Sequence, residues 1–323
     1  MTHVLDIQNL KTYFHTEAGV VKAIDGISLH VEKGETLGLV GESGSGKTMT
    51  ALSVLNIVPS PGKVNSGKIL FNNNVISNLD EEQMRKIRGK KIALIFQDPT
   101  SSLHPLYTVG KQIGDILKTH DGLNSKEAKK RVIQLFTEVG IPEPEIRVNQ
   151  YPHEFSGGMK QRVAIARALA LNPELLFADE PTTNLDVTIQ AQVLDLLKHL
   201  KKSKQMSLII ITHDMGVVAS ITQRITVLYA GMVAEIADTK TLFKNPKHPY
   251  TRQLLDAVPR PDVKKRLEPI PGNIPQLISP PTGCRFHPRC KYAEKICSEK
   301  IPVLENVSEN HFVSCHKWKE IKF

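Results

Sequence analysis

Residues 36–48, TLGLVGESGSGKT, decide how the chain is read. The first five are an almost unbroken apolar run, the pattern of a strand covered on both faces. The next eight, GESGSGKT at 41–48, fit G-x-x-x-x-G-K-[ST], and the stretch behind them, MTALSVLNIV, is helix-like, so the spacing predicts strand, glycine turn and helix in succession. Gly41, Gly44 and Gly46 permit the tight turns that let backbone N–H groups converge on phosphate oxygens. The positive end of the following helix adds to that anion site. Lys47 is expected to reach the β- and γ-phosphates of a nucleotide and Thr48 to offer its hydroxyl to Mg²⁺. Glu42, Ser43, Ser45 and Thr50 complete the candidate nucleotide contacts in this loop. A glycine-rich turn with a chance Lys-Thr pair would need neither the strand nor the helix.

Working outward, residues 92–96, 174–178 and 207–211 repeat the buried apolar pattern, while 4–10 and 27–31 alternate apolar and polar residues as half-buried strands do. Amphipathic helical stretches, notably 126–139 and 188–201, lie between them. Strands alternating with helices predict an α/β fold around a mostly parallel core sheet. Between residues 100 and 170 strand signals vanish, which predicts a helical insert. Residues 259–281 hold seven prolines, and proline excludes a regular helix or central strand there. The expected division is therefore 1–258 for the phosphate-binding domain and 259–323 for a proline-rich linker with a small cysteine-bearing extension.

A phosphate loop needs a second carboxylate at the end of another buried strand. ELLFADEP supplies it: Asp179 is placed to hold Mg²⁺, and Glu180 to polarise an attacking water as general base. Up to this point the residues describe a nucleotide hydrolase of unspecified kind.

Composition narrows the setting. The 323 residues are 40% hydrophobic and 23% charged, values of a globular protein rather than a disordered one. No run of 18 apolar residues exists, and the N-terminus lacks a secretory h-region, so a cytosolic protein without its own membrane span is expected. Of the net charge of +9, residues 240–323 carry +8, from 16 Lys and Arg against 8 Asp and Glu. No aromatic-interleaved basic stripe accompanies that charge, which argues against a nucleic-acid partner.

The remaining motifs resemble those of the ABC ATPases. FSGGMKQR at 155–162 is similar to the family signature, with Ser156 a good N-cap and the N–H groups of Gly157 and Gly158 a second anion-binding helix end. The resemblance implies two cassettes paired head to tail, each signature completing the other's ATP site. It also implies that Gln97 is the Q-loop glutamine and a metal-site residue. Asp186 corresponds to the D-loop aspartate, His213 to the switch histidine at the γ-phosphate, and Tyr13 or Phe14 to the adenine-stacking ring, with spacing favouring Phe14. Translation factors of this family carry two cassettes per chain and repair ATPases interrupt theirs, whereas this chain has one unbroken cassette. That favours a transporter subunit over a soluble ATPase acting on nucleic acid or the ribosome.

NPKHPYTRQLL at 245–255, IPGNIP at 270–275, PPTGCRFHPRC at 280–290 and DPTSSLHPLYTVG at 98–110 resemble the oligopeptide, dipeptide and nickel importer ATPases. His104 and Asn184 depart from the expected pattern. The resemblance implies a peripheral subunit on the cytoplasmic face of the membrane. It implies as partners a related second ATPase chain, two transmembrane permeases and an extracytoplasmic substrate-binding protein. Dipeptide or oligopeptide is the expected cargo and nickel the alternative.

Cys284, Cys290, Cys297 and Cys315 are the only cysteines, spaced C-x5-C-x6-C-x17-C. That spacing lacks the close pairs typical of zinc and leaves iron–sulfur cluster, zinc and free thiols open. Importers of this group with such tails carry a [4Fe–4S] cluster, so the resemblance implies one here, as a structural staple. His287, His311 and His316 are alternative ligands, each more simply read as a surface histidine.

Overall fold

The computed structural model describes residues 3–183, 185–258, 270–321 and 323. Asn184 and the prolines at 259, 261 and 269 lie outside the described residues. Strands follow one another as β1 His3–Thr16, β2 Gly19–Glu32, β3 Thr36–Val40, β4 Gly62–Phe71, β5 Asn74–Val75, β6 Ile92–Ile95 and β7 Leu175–Asp179. Then come β8 Ser207–Thr212, β9 Arg224–Tyr229, β10 Met232–Asp238, β11 Glu305–Ser308 and β12 His311–Val313. The described residues form two compact units, 1–78 with 211–323, and 79–210.

In the first unit β3 runs parallel to β9, and β10, β12 and β11 extend the sheet antiparallel from β9. A second, antiparallel sheet has the order β2-β1-β4-β5. The run predicted at 36–40 is β3 to the residue, and all five positions are buried. Its Val40 packs in a core with Val218, Ile225, Val227, Tyr229, Tyr250 and Phe286. Phe286 comes from the cysteine-bearing extension, so that segment shares a core with the phosphate loop's own strand. The carboxylate of Glu235, fully buried on β10, knits this end together. It accepts the N–H groups of Lys247 and His248, at 2.6 and 3.0 Å, and faces His311 Nε2 at 2.7 Å. Burying a carboxylate is tolerable because every side of it finds a donor.

The second unit contains β8-β7-β6, with β6 and β7 parallel, although the last two residues of β8 fall in the first unit. Between β6 and β7 the chain is helical: Pro99–Ser102, Val109–Asp121, Ser125–Glu138, Pro144–Arg147 and Gly157–Ala168. The starts are written in the sequence. Thr108, Asn124 and Ser156 each accept a backbone N–H from the first turn, and Asn124 with Glu127 forms a reciprocal capping box. Among the described residues no helix is long and apolar enough to cross a membrane.

Candidate functional site

The phosphate loop joins β3 to the helix Lys47–Val54 in the first unit. Gly41 has φ +152°, and a Cβ on it would sit 2.2 Å from the Leu228 carbonyl oxygen, so glycine is required. Gly46, at φ +102°, is held nearly as tightly, with the Ala23 carbonyl oxygen 2.9 Å from where a Cβ would stand. The Lys47 side chain is buried, and its ammonium donates to the carbonyls of Gly41 at 2.8 Å and Glu42 at 2.9 Å. Ser43, Gly44 and Thr48 are exposed, while Ser45 and Thr50 are buried, the latter bonded to the Gly46 carbonyl. Ser45 and Thr50 thus lie inside the loop's own packing, while Ser43, Gly44 and Thr48 face outward.

The loop is braced from the C-terminal side. The Glu42 N–H donates to the Tyr250 hydroxyl at 2.8 Å, and the Glu42 carboxylate receives both terminal nitrogens of Arg289, at 2.7 and 3.0 Å. Neither Tyr250 nor Arg289 is legible as a site residue, because each stands over 200 positions from the loop in a segment without phosphate-binding character. The candidate adenine rings take different places. The Tyr13 hydroxyl donates to Asp25 at 2.5 Å, and Asp25 also pairs with Arg285. Burial and the Asp25 carboxylate push the Tyr13 phenol up to about 12. The Phe14 ring lies against Gly62, within 2.6 Å of where a Cβ would stand. His213 follows β8 and is exposed, and the next residue, Asp214, caps the helix Met215–Ile221.

The second unit carries the carboxylates. Asp179 ends β7 and is buried. Glu180 follows with φ +45°, a left-handed backbone that a residue with a side chain adopts at a cost of about 1–3 kcal/mol. Its carboxylate accepts from the Gln97 amide at 2.8 Å and from the Thr183 hydroxyl at 2.9 Å. Gln97 and Glu180, 83 positions apart in sequence, are thus direct partners, and Thr183 is a third member for which the sequence predicts no role. Ser156 caps the signature helix, accepting the Met159 N–H at 3.4 Å, and Ser156 and Gly157 are exposed. Asp186 accepts the Ile189 N–H at 3.0 Å, which makes it the N-cap of the helix Val187–Lys204. His104 has a local account: its Nδ1 accepts the Leu106 N–H, closing a turn as the expected Asn would.

Mg²⁺ is a hard cation that takes oxygen donors. In the second unit Asp179 offers a carboxylate and Gln97, whose amide nitrogen is engaged by Glu180, an amide oxygen; in the first unit Thr48 offers an exposed hydroxyl.

All four cysteines line one pocket, together with His287, Tyr292 and His316. His311 belongs instead to Glu235. Burial pushes the Cys284 thiol up to about 11 and that of Cys315 to about 12, and each further thiolate in the pocket raises them more. Four thiolates would therefore gather here only around a cation. Four cysteines around one pocket are a donor set of the kind that thiolate-binding metal centres use.

The first unit carries a glycine-held loop with a buried lysine, and the second carries adjacent carboxylates at a strand end and a serine-capped helix start. A family model described as ABC transporter matches residues 24–183, and one described as oligopeptide/dipeptide transporter, C-terminal region, matches 234–297. The chain is 49% identical to the oligopeptide transport ATP-binding protein OppD of Bacillus subtilis, over 97% of this chain and 88% of that protein. It is 47% identical to the dipeptide transport ATP-binding protein DppD of the same organism, over 98% and 95%. Among solved structures it is similar to the ATP-binding cassette MJ0796, seen as a dimer in a post-hydrolysis state bound to ADP and Pi. That likeness has a TM-score of 0.65 and 29% identity, over 73% of this chain and 98% of the other. The chain belongs to the ABC transporter family of ATP-binding proteins and is an ATPase.

Proposed function

We propose that this chain is the energy subunit of an importer for dipeptides or oligopeptides. The observation that carries the reading is the C-terminal match over residues 234–297, joined to relatives named for peptide transport along nearly the whole chain. In this reading two cassettes pair head to tail on two permeases at the cytoplasmic face of the membrane, fed by an extracytoplasmic binding protein. The dimeric state of MJ0796 supports the pairing. By role, residues 1–258 are the ATPase and 259–323 its cysteine-bearing extension.

In the proposed mechanism Lys47 and the loop N–H groups grip the β- and γ-phosphates, with Tyr13 or Phe14 stacked on adenine. Glu180 takes the proton of the attacking water, held for that task by Gln97 and Thr183. His213 aligns the water and the γ-phosphate. Ser156, Gly157 and Gly158 of the opposing cassette stabilise the charge that develops on the γ-phosphate, and Asp186 links the paired sites. Mg²⁺, held by Thr48, Asp179 and Gln97, would neutralise phosphate charge. The four cysteines would hold a [4Fe–4S] cluster, with zinc as the alternative; that all four line one pocket supports a shared metal site.

Reconstitution tests the reading. The chain co-expressed with the permeases of a peptide importer from the same genome should purify as a membrane complex whose ATPase rises with peptide-loaded binding protein. Recovery with nucleic acid, and no response to peptide, would contradict it. For the cysteines, freshly isolated protein handled without oxygen should contain iron and absorb at about 400 nm. Protein with zinc alone, or with no metal, would refute the cluster.

A further inference from the structure

We propose that Arg289 is a positioning residue for nucleotide binding, acting through Glu42, and that metal loading of the four-cysteine pocket reaches the phosphate loop through it. The second half rests on the metal-binding reading of those cysteines; the first half does not.

Three contacts converge on Glu42, the second residue of the loop. Its carbonyl accepts the Lys47 ammonium, its N–H is fixed by Tyr250, and its carboxylate is forked by Arg289. A bidentate guanidinium pair fixes orientation as well as distance. Arg289 is itself held in place. Its side chain is 4% exposed, its Nε donates to the Pro271 carbonyl at 2.9 Å, and its Nη1 approaches the Tyr229 hydroxyl at 3.3 Å. Glu42 is the more exposed partner, at 23%.

The charge matters as much as the anchoring. Glu42 places a carboxylate inside a loop built to receive phosphate, and a bare anion there opposes the ligand. Arg289 cancels that charge and keeps the carboxylate turned toward the extension. Withdrawing Arg289 therefore both loosens the loop and exposes the phosphates to a like charge.

Arg289 immediately precedes Cys290, and the stretch from Cys284 to Cys290 has a pocket-lining thiol at each end. Between them run only short turn bonds, such as Arg289 N–H to the Phe286 carbonyl at 3.0 Å and Cys290 N–H to the His287 carbonyl at 3.2 Å. Metal ligation by both thiols fixes the ends of this stretch and so the base from which Arg289 reaches Glu42. Arg285, from the same stretch, pairs with Asp25, which holds the Tyr13 hydroxyl. The extension thus touches the nucleotide site at its phosphate end and at a candidate adenine ring.

The test is equilibrium binding of Mg-ADP to the full chain, by calorimetry, alongside thermal melting. Arg289→Gln should weaken binding about tenfold. Arg289→Lys should weaken it less, and Glu42→Gln combined with Arg289→Gln should recover most of the loss by removing the unbalanced charge. A lowered melting temperature with unchanged affinity would overturn the positioning role, as would a double variant no better than Arg289→Gln. For the coupling, Cys290→Ser should weaken Mg-ADP binding in the wild-type background and add little to Arg289→Gln. An equal further loss in the Arg289→Gln background would overturn the coupling. So would wild-type protein that binds no metal, while leaving the Arg289 comparison to be judged on its own.

Discussion

The Gln97 side-chain amide donates to the Glu180 carboxylate across 2.8 Å. The residue at the start of the helical insert and the residue after β7 are therefore one unit, and Thr183 completes it with its own hydroxyl at 2.9 Å. Glu180 also sits in a left-handed backbone conformation, which persists where surrounding bonds over-determine it. A carboxylate so fixed is oriented before substrate arrives, which is what a general base requires.

Thr183→Val removes the hydroxyl's hydrogen bond to Glu180 while keeping shape. Turnover should fall about threefold to tenfold, since one hydrogen bond to a charged group contributes about 1.5–3 kcal/mol and only part acts in the transition state. The affinity for Mg-ADP should hold. Steady-state ATPase kinetics with a parallel binding measurement check this.

Gly41→Ala and Gly44→Ala separate clash from strain. At Gly41 a Cβ meets the Leu228 carbonyl oxygen at 2.2 Å, whereas at Gly44, φ +74°, it meets nothing within 4 Å. Gly44→Ala should cost only the left-handed penalty of about 1–2 kcal/mol. Gly41→Ala should displace the loop and weaken nucleotide binding by more than about a hundredfold. Titration with Mg-ADP ranks the two.

The contrast between clear and hidden elements follows from where the stabilising contacts lie. β3 and β8 were legible because a strand buried on both faces writes itself as an apolar run, with 36–40 and 207–211 within a residue of the observed bounds. The helices Ser125–Glu138 and Val187–Lys204 were legible from period, while their caps Asn124 and Asp186 are identified only by the structure. β1 and β2 are longer than the alternation indicates, because register shifts, including the one at Asn9 with φ +47°, reset the pattern partway along. β4 is mostly exposed and polar, so its pairing with β1 and β5 rather than its own pattern makes it a strand. β9 and β10 were obscured by buried Arg224 and Glu235, whose partners Glu35 and His311 are remote in sequence. The candidate site divides the same way. Its motif residues stand in order along the chain and Thr183 lies three positions from Glu180, while Tyr250 and Arg289 are joined to it by tertiary contact alone.

Glu235→Ala should destabilise the first unit by about 3–5 kcal/mol, because it strands buried His311 and two backbone N–H groups. Glu235→Gln keeps one acceptor oxygen and should lose less. Denaturant unfolding monitored by Trp318, the only tryptophan, gives the ranking.

The central claim is that this chain hydrolyses ATP with Glu180 as base. The most direct measurement is single-site ATPase turnover of Glu180→Gln beside its nucleotide affinity. The replacement keeps size and hydrogen bonding but cannot take a proton. Turnover should fall by about 10²–10⁴ with the affinity for Mg-ATP retained. Turnover within about twofold of wild type would contradict the assignment.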